Sequence, residues 1–330
     1  MPRTVKIDIG VNGAFITRRW EKPENWMRLT RECGYEYHSF CADVLDPFFS
    51  GDRTFQAEIA GQTRDAAAKY GVKIIDIYTG MATHRFHGLS HTDPRARRRM
   101  AEWLEGAAEI AAVMGTDAIG GHVDAFSTEV LEDPEATEQC KQRLFETMRN
   151  VGSIMKRKGM RVFSQEQMYI PSEKPWLISE GDEFLVEVNR TNTGQHIYLT
   201  LDTGHMAGQP FGAGFPDTDY LSWMRRFSSV SEVIHVQQTV PDASHHWPFL
   251  PKYNEKGCVN IPDLIDAIKL AHREHDQRPF SFMQPVSMNY LVLEVIPGST
   301  KRDDVLLSEL KESARYLRQF IPEGGLTFEV

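Results

Sequence analysis

Short apolar segments alternate with longer amphipathic segments along the 330-residue chain. The apolar segments are rich in β-branched and aromatic residues, as is typical of strands that are buried on both faces of a parallel sheet. Eight such strands are predicted, at residues 5–11, 35–40, 72–78, 116–122, 160–166, 197–202, 232–237 and 290–295. A segment with helical periodicity follows each strand, at residues 23–33, 55–70, 94–114, 135–158, 181–190, 219–227, 261–275 and 303–320.

Eight strand–helix units predict one (β/α)8 TIM barrel that spans residues 1–330 as a single domain. A doubly wound sheet usually uses about five or six strands, and no Pro- or Ser-rich linker separates the two halves of the chain. The eighth strand has a competing segment, because residues 278–288 could also form a strand. We place the strand at residues 290–295, since this segment is more apolar and contains the ionisable residue Glu294.

The ends of the later strands carry the candidate chemistry. The sixth strand ends on Asp202, and Gly204 allows the backbone to turn before His205. In a parallel barrel the carboxyl ends of the strands meet at one mouth, where active sites are built. Strands five to eight would deliver Glu166, Asp202, His235 and Glu294 to one side of that mouth.

Three carboxylates and one imidazole at one mouth predict a bound cation. Like charges a few ångströms apart would otherwise force some carboxylates to take up protons. A single carboxylate at a strand end usually caps a loop or faces solvent, but four such residues on successive strands favour a shared metal site. Oxygen ligands with one imidazole suit Mn²⁺, Mg²⁺ or Co²⁺, with Zn²⁺ as a further candidate.

Composition and charge exclude several other classes of function. The net charge is −9, from 37 Lys and Arg against 46 Asp and Glu, and no basic block is present, which argues against nucleic-acid binding. The four cysteines are scattered without a CxxC pair, so a disulfide framework or a thiolate zinc site is not expected. The chain contains no glycine-rich phosphate loop that would support a nicotinamide cofactor.

The sequence also predicts a soluble, cytoplasmic protein. No apolar run approaches the roughly 18 residues of a membrane span, so no membrane association is expected. Strand-like sequence begins almost at the N-terminus, without the pattern of a secretory signal peptide. The sequence leaves a homo-oligomer open.

The strand-end pattern resembles that of the xylose isomerase-like TIM barrels, specifically the sugar-phosphate isomerase/epimerase group that includes tagatose 3-epimerase. In that group Glu, Asp, His and Glu from strands five to eight hold the metal, and the Asp-Thr-Gly-His turn at residues 202–205 matches its Asp-x-x-His turn. The segments at residues 235–239, 244–249 and 292–297 further resemble the branch of erythrulose-phosphate epimerases.

This resemblance implies a divalent-metal-dependent isomerase or epimerase of a small ketose or ketose phosphate, with a tetrulose phosphate as one candidate. Glu166 and Glu294 would each be a metal ligand and also act as base and acid on the carbon next to the carbonyl. Further residues expected to contact the substrate are His122, His205, Gln237, His246 and Trp247. After the third strand, His84 or His87 would line the pocket.

The loop at residues 240–257 is long for a strand-to-helix connection and concentrates histidines and aromatic residues. Loops of this length in a compact domain are usually functional, so we expect it to reach over the barrel mouth or into a partner subunit. The group that would bind a substrate phosphate is not identifiable from spacing. Its candidates are Arg18, Arg19, Arg225 and Lys252.

Other activities on the same scaffold stay open at this point. A metal-dependent lyase, decarboxylase or dehydratase acting on a keto-sugar or sugar acid would use the same four ligands. A phosphodiesterase that resembles endonuclease IV would need a three-metal cluster with more histidines, and the acidic balance argues against it. A non-catalytic sugar-binding protein would hardly need two acid–base carboxylates at a metal.

Overall fold

Eight parallel strands form a closed barrel in the computed structural model, which describes residues 3–80, 83 and 87–330. With strands numbered in chain order, they are β1 Thr4–Asn12, β2 Tyr37–Cys41, β3 Lys73–Tyr78, β4 Ala118–Gly121, β5 Val162–Glu166, β6 Ile197–Asp202, β7 Val233–Val236 and β10 Met288–Leu293. Each strand pairs in parallel with the next, and β10 closes the barrel on β1, with Lys6 opposite Met288 and Val11 opposite Leu293. The predicted (β/α)8 fold is therefore confirmed.

Helices surround the barrel within the described part of the chain. They are α1 Pro23–Glu32, α2 Arg53–Tyr70, α3 Pro94–Met114, α4 Thr128–Leu131, α5 Pro134–Arg157, α6 Ile178–Asn189, α7 Tyr220–Phe227, α8 Pro251–Asn254, α9 Ile261–Arg273 and α10 Asp303–Leu317. Gly71 and Gly115 end α2 and α3 in the left-handed conformation, with φ of 64° and 84°, which a residue with a Cβ adopts only with strain. None of the described helices is long and apolar enough to span a membrane.

A hairpin and a last strand lie outside the set of eight parallel strands. An antiparallel hairpin, β8 Gln238–Val240 and β9 Ala243–Trp247, occupies the first part of the long loop after β7. A last strand, β11 Leu326–Glu329, pairs antiparallel with the start of β1. The competing segment for the eighth strand forms turns and loops over residues 278–287, so the strand lies close to its predicted position.

Side chains alternate along each strand between the apolar layer under the helices and the interior of the barrel. In β6, Ile197, Leu199 and Leu201 are fully buried in the apolar layer between strands and helices. Thr200 and Asp202 fall on the opposite face, inside the barrel, because side chains alternate along a strand. Burial of each apolar side chain stabilises the folded state by about 1.5–3 kcal/mol. The same alternation that builds the core thus directs Asp202 towards the barrel interior.

Candidate metal centre at the barrel mouth

Four ionisable side chains converge at the carboxyl ends of β5, β6, β7 and β10. One ligand-type atom from each of Glu166, Asp202, His235 and Glu294 lies within 4.8 Å of the others. Nδ1 of His235 lies 3.1 Å from Oε1 of Glu166, 3.5 Å from Oε2 of Glu294 and 3.9 Å from Oδ2 of Asp202. All four side chains are almost fully buried.

The strand register explains this convergence. Asp202 pairs with His235 across β6 and β7, and His235 pairs with Val292 on β10. Glu294 comes two residues after Val292, so it projects to the same face as Val292, one step nearer the mouth. Parallel pairing therefore brings residues from distant parts of the chain to one point.

The cluster has more negative than positive charge. Burial alone would lower the pKa of His235, but Glu294, Glu166 and Asp202 together raise it to about 10. Burial opposes ionisation of Glu294, yet His235, His246 and His205 lower its pKa well below the ordinary value. Burial outweighs the neighbouring histidines at Asp202 and raises its pKa. Three buried carboxylates thus surround one imidazole, whose single positive charge cannot balance all of them.

A divalent cation fits this donor set. Ligands on opposite sides of an ion bound at about 2.2 Å lie about 4.4 Å apart, so atoms already within 4.8 Å would need only small shifts. Carboxylate oxygens with one imidazole suit Mn²⁺, Mg²⁺, Co²⁺ or Zn²⁺. The ligand distances of 2.0–2.4 Å expected for such ions stay a prediction.

A glutamine and an asparagine orient two of the carboxylates. Nε2 of Gln237 donates hydrogen bonds to both oxygens of Asp202, at 3.0 and 3.1 Å. A Cβ at Gly204 would lie 2.4 Å from Cδ of Gln237, so a glycine is needed there to leave room for this amide. Nδ2 of Asn12, at the end of β1, donates to Oε1 of Glu294 at 3.1 Å. Such partners fix the orientation of metal ligands.

Two histidines lie between this cluster and the cavity. Nδ1 of His205 is 2.6 Å from the carbonyl oxygen of Gln167 and must donate to it, which leaves Nε2 facing Asp202 at 3.8 Å. Nε2 of His246, on β9, lies 3.4 Å from Oε2 of Glu294. Burial would lower the pKa of His246, but its hydrogen bond to Glu294 raises it.

A cavity of about 700 Å³ opens above the cluster, a volume typical of small-molecule sites. Glu166 and Glu294 line it, whereas Asp202 and His235 lie beneath its surface. Of the residues predicted to contact substrate, His205 and His246 line the cavity.

The other predicted contact residues are not among the described residues that line the cavity. Gln237 lies behind Asp202, and Nδ1 of His122 is 2.8 Å from Nε2 of Gln165. Trp247 stacks between His245 and Tyr253, at centroid distances of 4.1 and 5.0 Å. Their substrate contacts stay predictions.

Two histidines after β3 were candidates for lining the pocket. Nε2 of His87 lies 3.6 Å from the sulfur of Cys140 and does not line the described cavity. The other candidate, His84, lies outside the described residues.

Several residues that line the cavity were not predicted to do so. Asn12, Cys41 and Tyr78 end the first three strands, so the strand-end rule applied to all eight strands, and not only to the last four, would have found them. The others lie in loops or in the hairpin, without a periodic signal: Ala14, Thr17, Asp43, Thr79, Gly80, Met168, Tyr169, Ile170, Glu173, His245, Ile296 and Pro297. Arg18, considered only as a phosphate ligand, also lines the cavity.

A larger open groove of about 1350 Å³ adjoins this cavity, beside α1 and α2. The two share Thr17, Arg18 and Asp43. The described residues that line the groove do not include the buried carboxylates of the candidate metal centre. Its size therefore does not make it the better candidate for a catalytic site.

Comparison with known proteins agrees with this fold. The chain is 26% identical to D-erythrulose 1-phosphate 3-epimerase of Brucella abortus (strain 2308) over 208 residues, and the match spans 62% of this chain and 66% of the relative's length. A structure from Rhodospirillum rubrum ATCC 11170, provisionally named a xylose isomerase, superposes with a TM-score of 0.80 at 21% identity, covering 96% of this chain and all of that one.

A second structure, D-psicose 3-epimerase with D-tagatose from Clostridium cellulolyticum H10, gives a TM-score of 0.67 at 15% identity over 95% of this chain and 98% of its own. At such low identities these two structures establish a shared fold. The model of the xylose isomerase-like TIM barrel family matches residues 27–272. Because that match covers most of the barrel, including three of the four clustered residues, the chain belongs to the xylose isomerase-like TIM barrel family.

Proposed function

We propose that this protein is a divalent-metal-dependent epimerase or isomerase of a small ketose or ketose phosphate. The observation that carries the proposal is the unequal exposure of the four clustered residues. Only the two glutamates, Glu166 and Glu294, reach the cavity surface, while Asp202 and His235 lie beneath it. A metal site with two carboxylates facing the substrate space suits a reaction that removes and returns a proton.

Glu166, Asp202, His235 and Glu294 would hold the ion. When bound, a divalent ion supplies Lewis acidity, which polarises a ketose carbonyl and makes the adjacent C–H more acidic. The chain itself supplies the proton transfer, for which carboxylates are suitable groups.

Glu166 and Glu294 are suited to opposite roles in that transfer. Glu166 is on β5 and Glu294 follows β10, and β6 and β7 lie between these strands in the barrel. Their carboxylates can therefore approach a bound carbon from different sides. One would remove the proton next to the carbonyl and the other would return a proton to the opposite face, which inverts the carbon.

The histidines at the cavity would bind and orient the substrate. His205 lines the cavity, and its Nε2 is the nitrogen that Nδ1, held by the Gln167 carbonyl, leaves without a backbone partner. His246 lies beside Glu294, and its raised pKa favours a protonated ring that can donate to a substrate oxygen. Gln237 would act through Asp202 as a positioning residue.

The similar proteins favour a ketose as substrate. The curated relative is named as an epimerase of D-erythrulose 1-phosphate, and one similar structure is an epimerase with a bound ketose. A small ketose, with a tetrulose phosphate as the finer candidate, therefore comes first among substrates. The identity of the metal and the cytoplasmic location stay predictions.

Exchange of substrate hydrogen with solvent tests this proposal directly. The purified protein is loaded in turn with Mn²⁺, Co²⁺, Mg²⁺ and Zn²⁺ and incubated in D₂O with tetruloses, pentuloses, hexuloses and their phosphates. We expect deuterium at the carbon next to the carbonyl of at least one ketose, together with its epimer or isomer. Loss of water or CO₂ without such exchange would instead identify a dehydratase or a decarboxylase, and would contradict the proposal.

A further inference from the structure

The charges that line the cavity are unevenly distributed. Besides Glu166 and Glu294, its described lining contains the carboxylates of Asp43 and Glu173. Arg18 is the one lysine or arginine among the described residues of this lining. Arginine stays charged at any physiological pH, so Arg18 places a permanent positive charge on this surface.

The guanidinium of Arg18 has no hydrogen-bond or ion-pair partner among the described residues, and the side chain is exposed. The neighbouring Arg19 differs in this respect. Nη1 of Arg19 donates to the carbonyl of Lys301 at 2.9 Å, Nη2 donates to that of Gly298 at 3.2 Å, and the side chain also contacts Asp303. Arg19 therefore anchors the loop, and the charge of Arg18 is not used in the fold.

The backbone at Arg18 is also unusual. Its φ is 54°, in the left-handed region that residues with a Cβ rarely adopt. The loop holds it there through hydrogen bonds from Ile16 N to Gly13 O and from Arg19 N to Ile16 O, both at 3.0 Å. The other described non-glycine residue with positive φ is His246, and it lines the same cavity. Such strained positions cluster at ligand sites.

We propose that Arg18 binds the phosphate group of the substrate, so that the preferred substrates are phosphorylated ketoses. This inference rests on the proposed function, because it assumes that the ketose occupies the cavity beside Glu166 and Glu294. The planar guanidinium presents a fork of donors that matches phosphate oxygens. Its positive charge would attract a phosphate dianion at a part of the barrel mouth separate from the candidate metal centre.

The size and layout of the cavity agree with this assignment. A volume of about 700 Å³ leaves room for a short ketose with a phosphate. The candidate metal centre lies at the carboxyl ends of β5, β6, β7 and β10, whereas Arg18 lies in the loop after β1. The sugar carbonyl and the phosphate would therefore have separate partners on the barrel mouth, which orients the ketose chain between them.

The test compares two substrates that differ only in the phosphate. Solvent exchange is measured on D-erythrulose 1-phosphate and on D-erythrulose, with metal in excess, and the ratio of the two kcat/KM values is calculated. In Arg18→Gln we expect that ratio to fall by about 10- to 100-fold, mainly through KM, as for the loss of one or two charge-assisted hydrogen bonds. Arg18→Lys should recover part of it.

Arg98 provides a matched control, since it is an exposed arginine on α3 that does not line the cavity. Arg98→Gln should retain the wild-type ratio. If Arg18→Gln lowers kcat/KM for both substrates equally, or if the wild-type protein prefers the unphosphorylated ketose, the assignment of Arg18 is wrong while the proposed function stands.

A binding measurement separates the two conclusions further. Titration calorimetry with D-erythrulose 1-phosphate and with inorganic phosphate does not depend on turnover. Binding that is weakened in Arg18→Gln and retained in Arg98→Gln supports the phosphate site. This result would stand even if the wild-type protein exchanged no ketose hydrogen, an outcome that would contradict only the proposed function. Equal binding by wild type and Arg18→Gln overturns the phosphate site.

Discussion

Gln237 joins a buried carboxylate of the candidate metal centre to the hairpin above it. Its Nε2 donates to both oxygens of Asp202, and its Oε1 accepts the backbone N–H of His246 at 2.6 Å. The hydroxyl of Ser244 completes the link, 2.9 Å from Nε2. One fully buried amide therefore fixes the position of a candidate metal ligand and of a histidine that lines the cavity.

Replacement of this glutamine should weaken metal binding. In Gln237→Leu the amide that orients Asp202 is absent, so we expect metal affinity to fall by about 10- to 100-fold, the effect typical of partners that support metal ligands. Isothermal titration with Mn²⁺ or Co²⁺ measures this affinity.

The adjacent Gln238 provides the control for this change. It is also buried, but its Nε2 donates to the carbonyl of Val259 at 3.0 Å, and none of its hydrogen bonds to described residues reaches the candidate metal centre. Gln238→Leu should therefore lower thermal stability with little change in metal affinity. If the two variants bind metal equally well, Gln237 has no specific role in positioning Asp202.

The sequence predicted the convergence of the four candidate metal ligands because parallel strands make distant residues neighbours in a regular way. Glu166, Asp202 and His235 end or nearly end apolar segments, and Glu294 follows the last one, so barrel topology alone brings them together. Strand boundaries needed to be correct only to within a residue or two, since alternation selects the face.

Other parts of the site depend on contacts that no local pattern contains. The hairpin of β8 and β9 is short and polar, and its pairing is set by turn geometry and side chains such as Gln237. The left-handed backbone of Arg18 is imposed by its loop, since arginine has no intrinsic preference for it. The sequence likewise gives no sign that Gln237 turns towards Asp202 and away from the cavity.

Metal binding should release a proton from His235. In the metal-free protein the surrounding carboxylates outweigh burial and raise its pKa to about 10, so the ring is protonated at neutral pH. A metal ligand must be neutral at the binding nitrogen, and the proton therefore leaves as the ion enters. Between pH 6 and 8 the apparent affinity should rise by about tenfold per pH unit.

Calorimetry in two buffers of different ionisation enthalpy counts this proton. We expect close to one proton released per metal ion at pH 7, provided that the carboxylates are already ionised. Binding without proton release, together with a flat pH dependence, would mean that His235 is neutral before metal binds and that its pKa is not raised.

The hairpin should contribute to turnover through His246. Its ring lies 3.4 Å from Glu294 and helps to keep the pKa of that carboxylate low. In His246→Ala we expect kcat to fall by about 10- to 100-fold, within or just below the range for a group that assists proton transfer.

Trp247→Ala removes the stack between His245 and Tyr253 and should chiefly raise KM, because the hairpin is then less ordered.

Steady-state kinetics on the substrate identified by solvent exchange separate these effects. Phe215 provides an aromatic control, since it is 83% exposed in the loop after β6 and does not line the cavity. Phe215→Ala should retain wild-type kinetics. A double variant of His246 and Trp247 with unchanged turnover would show that the hairpin only packs over the barrel.

The two glutamates should differ in which epimer they deprotonate. Both are candidate metal ligands, so lost activity in a variant proves little unless the metal is supplied in excess. Under that condition Glu166→Gln and Glu294→Gln should still bind ketose but lose turnover by about 10²–10⁴-fold, as expected for a missing acid–base group. Because the carboxylates approach the carbon from different sides, each variant should retain proton exchange with one epimer, and the epimer should differ between the two variants.

Deuterium incorporation into each purified epimer, followed by NMR, measures this preference. Equal exchange of the same epimer by both variants would exclude a two-base epimerase and favour a single-base isomerase or a lyase.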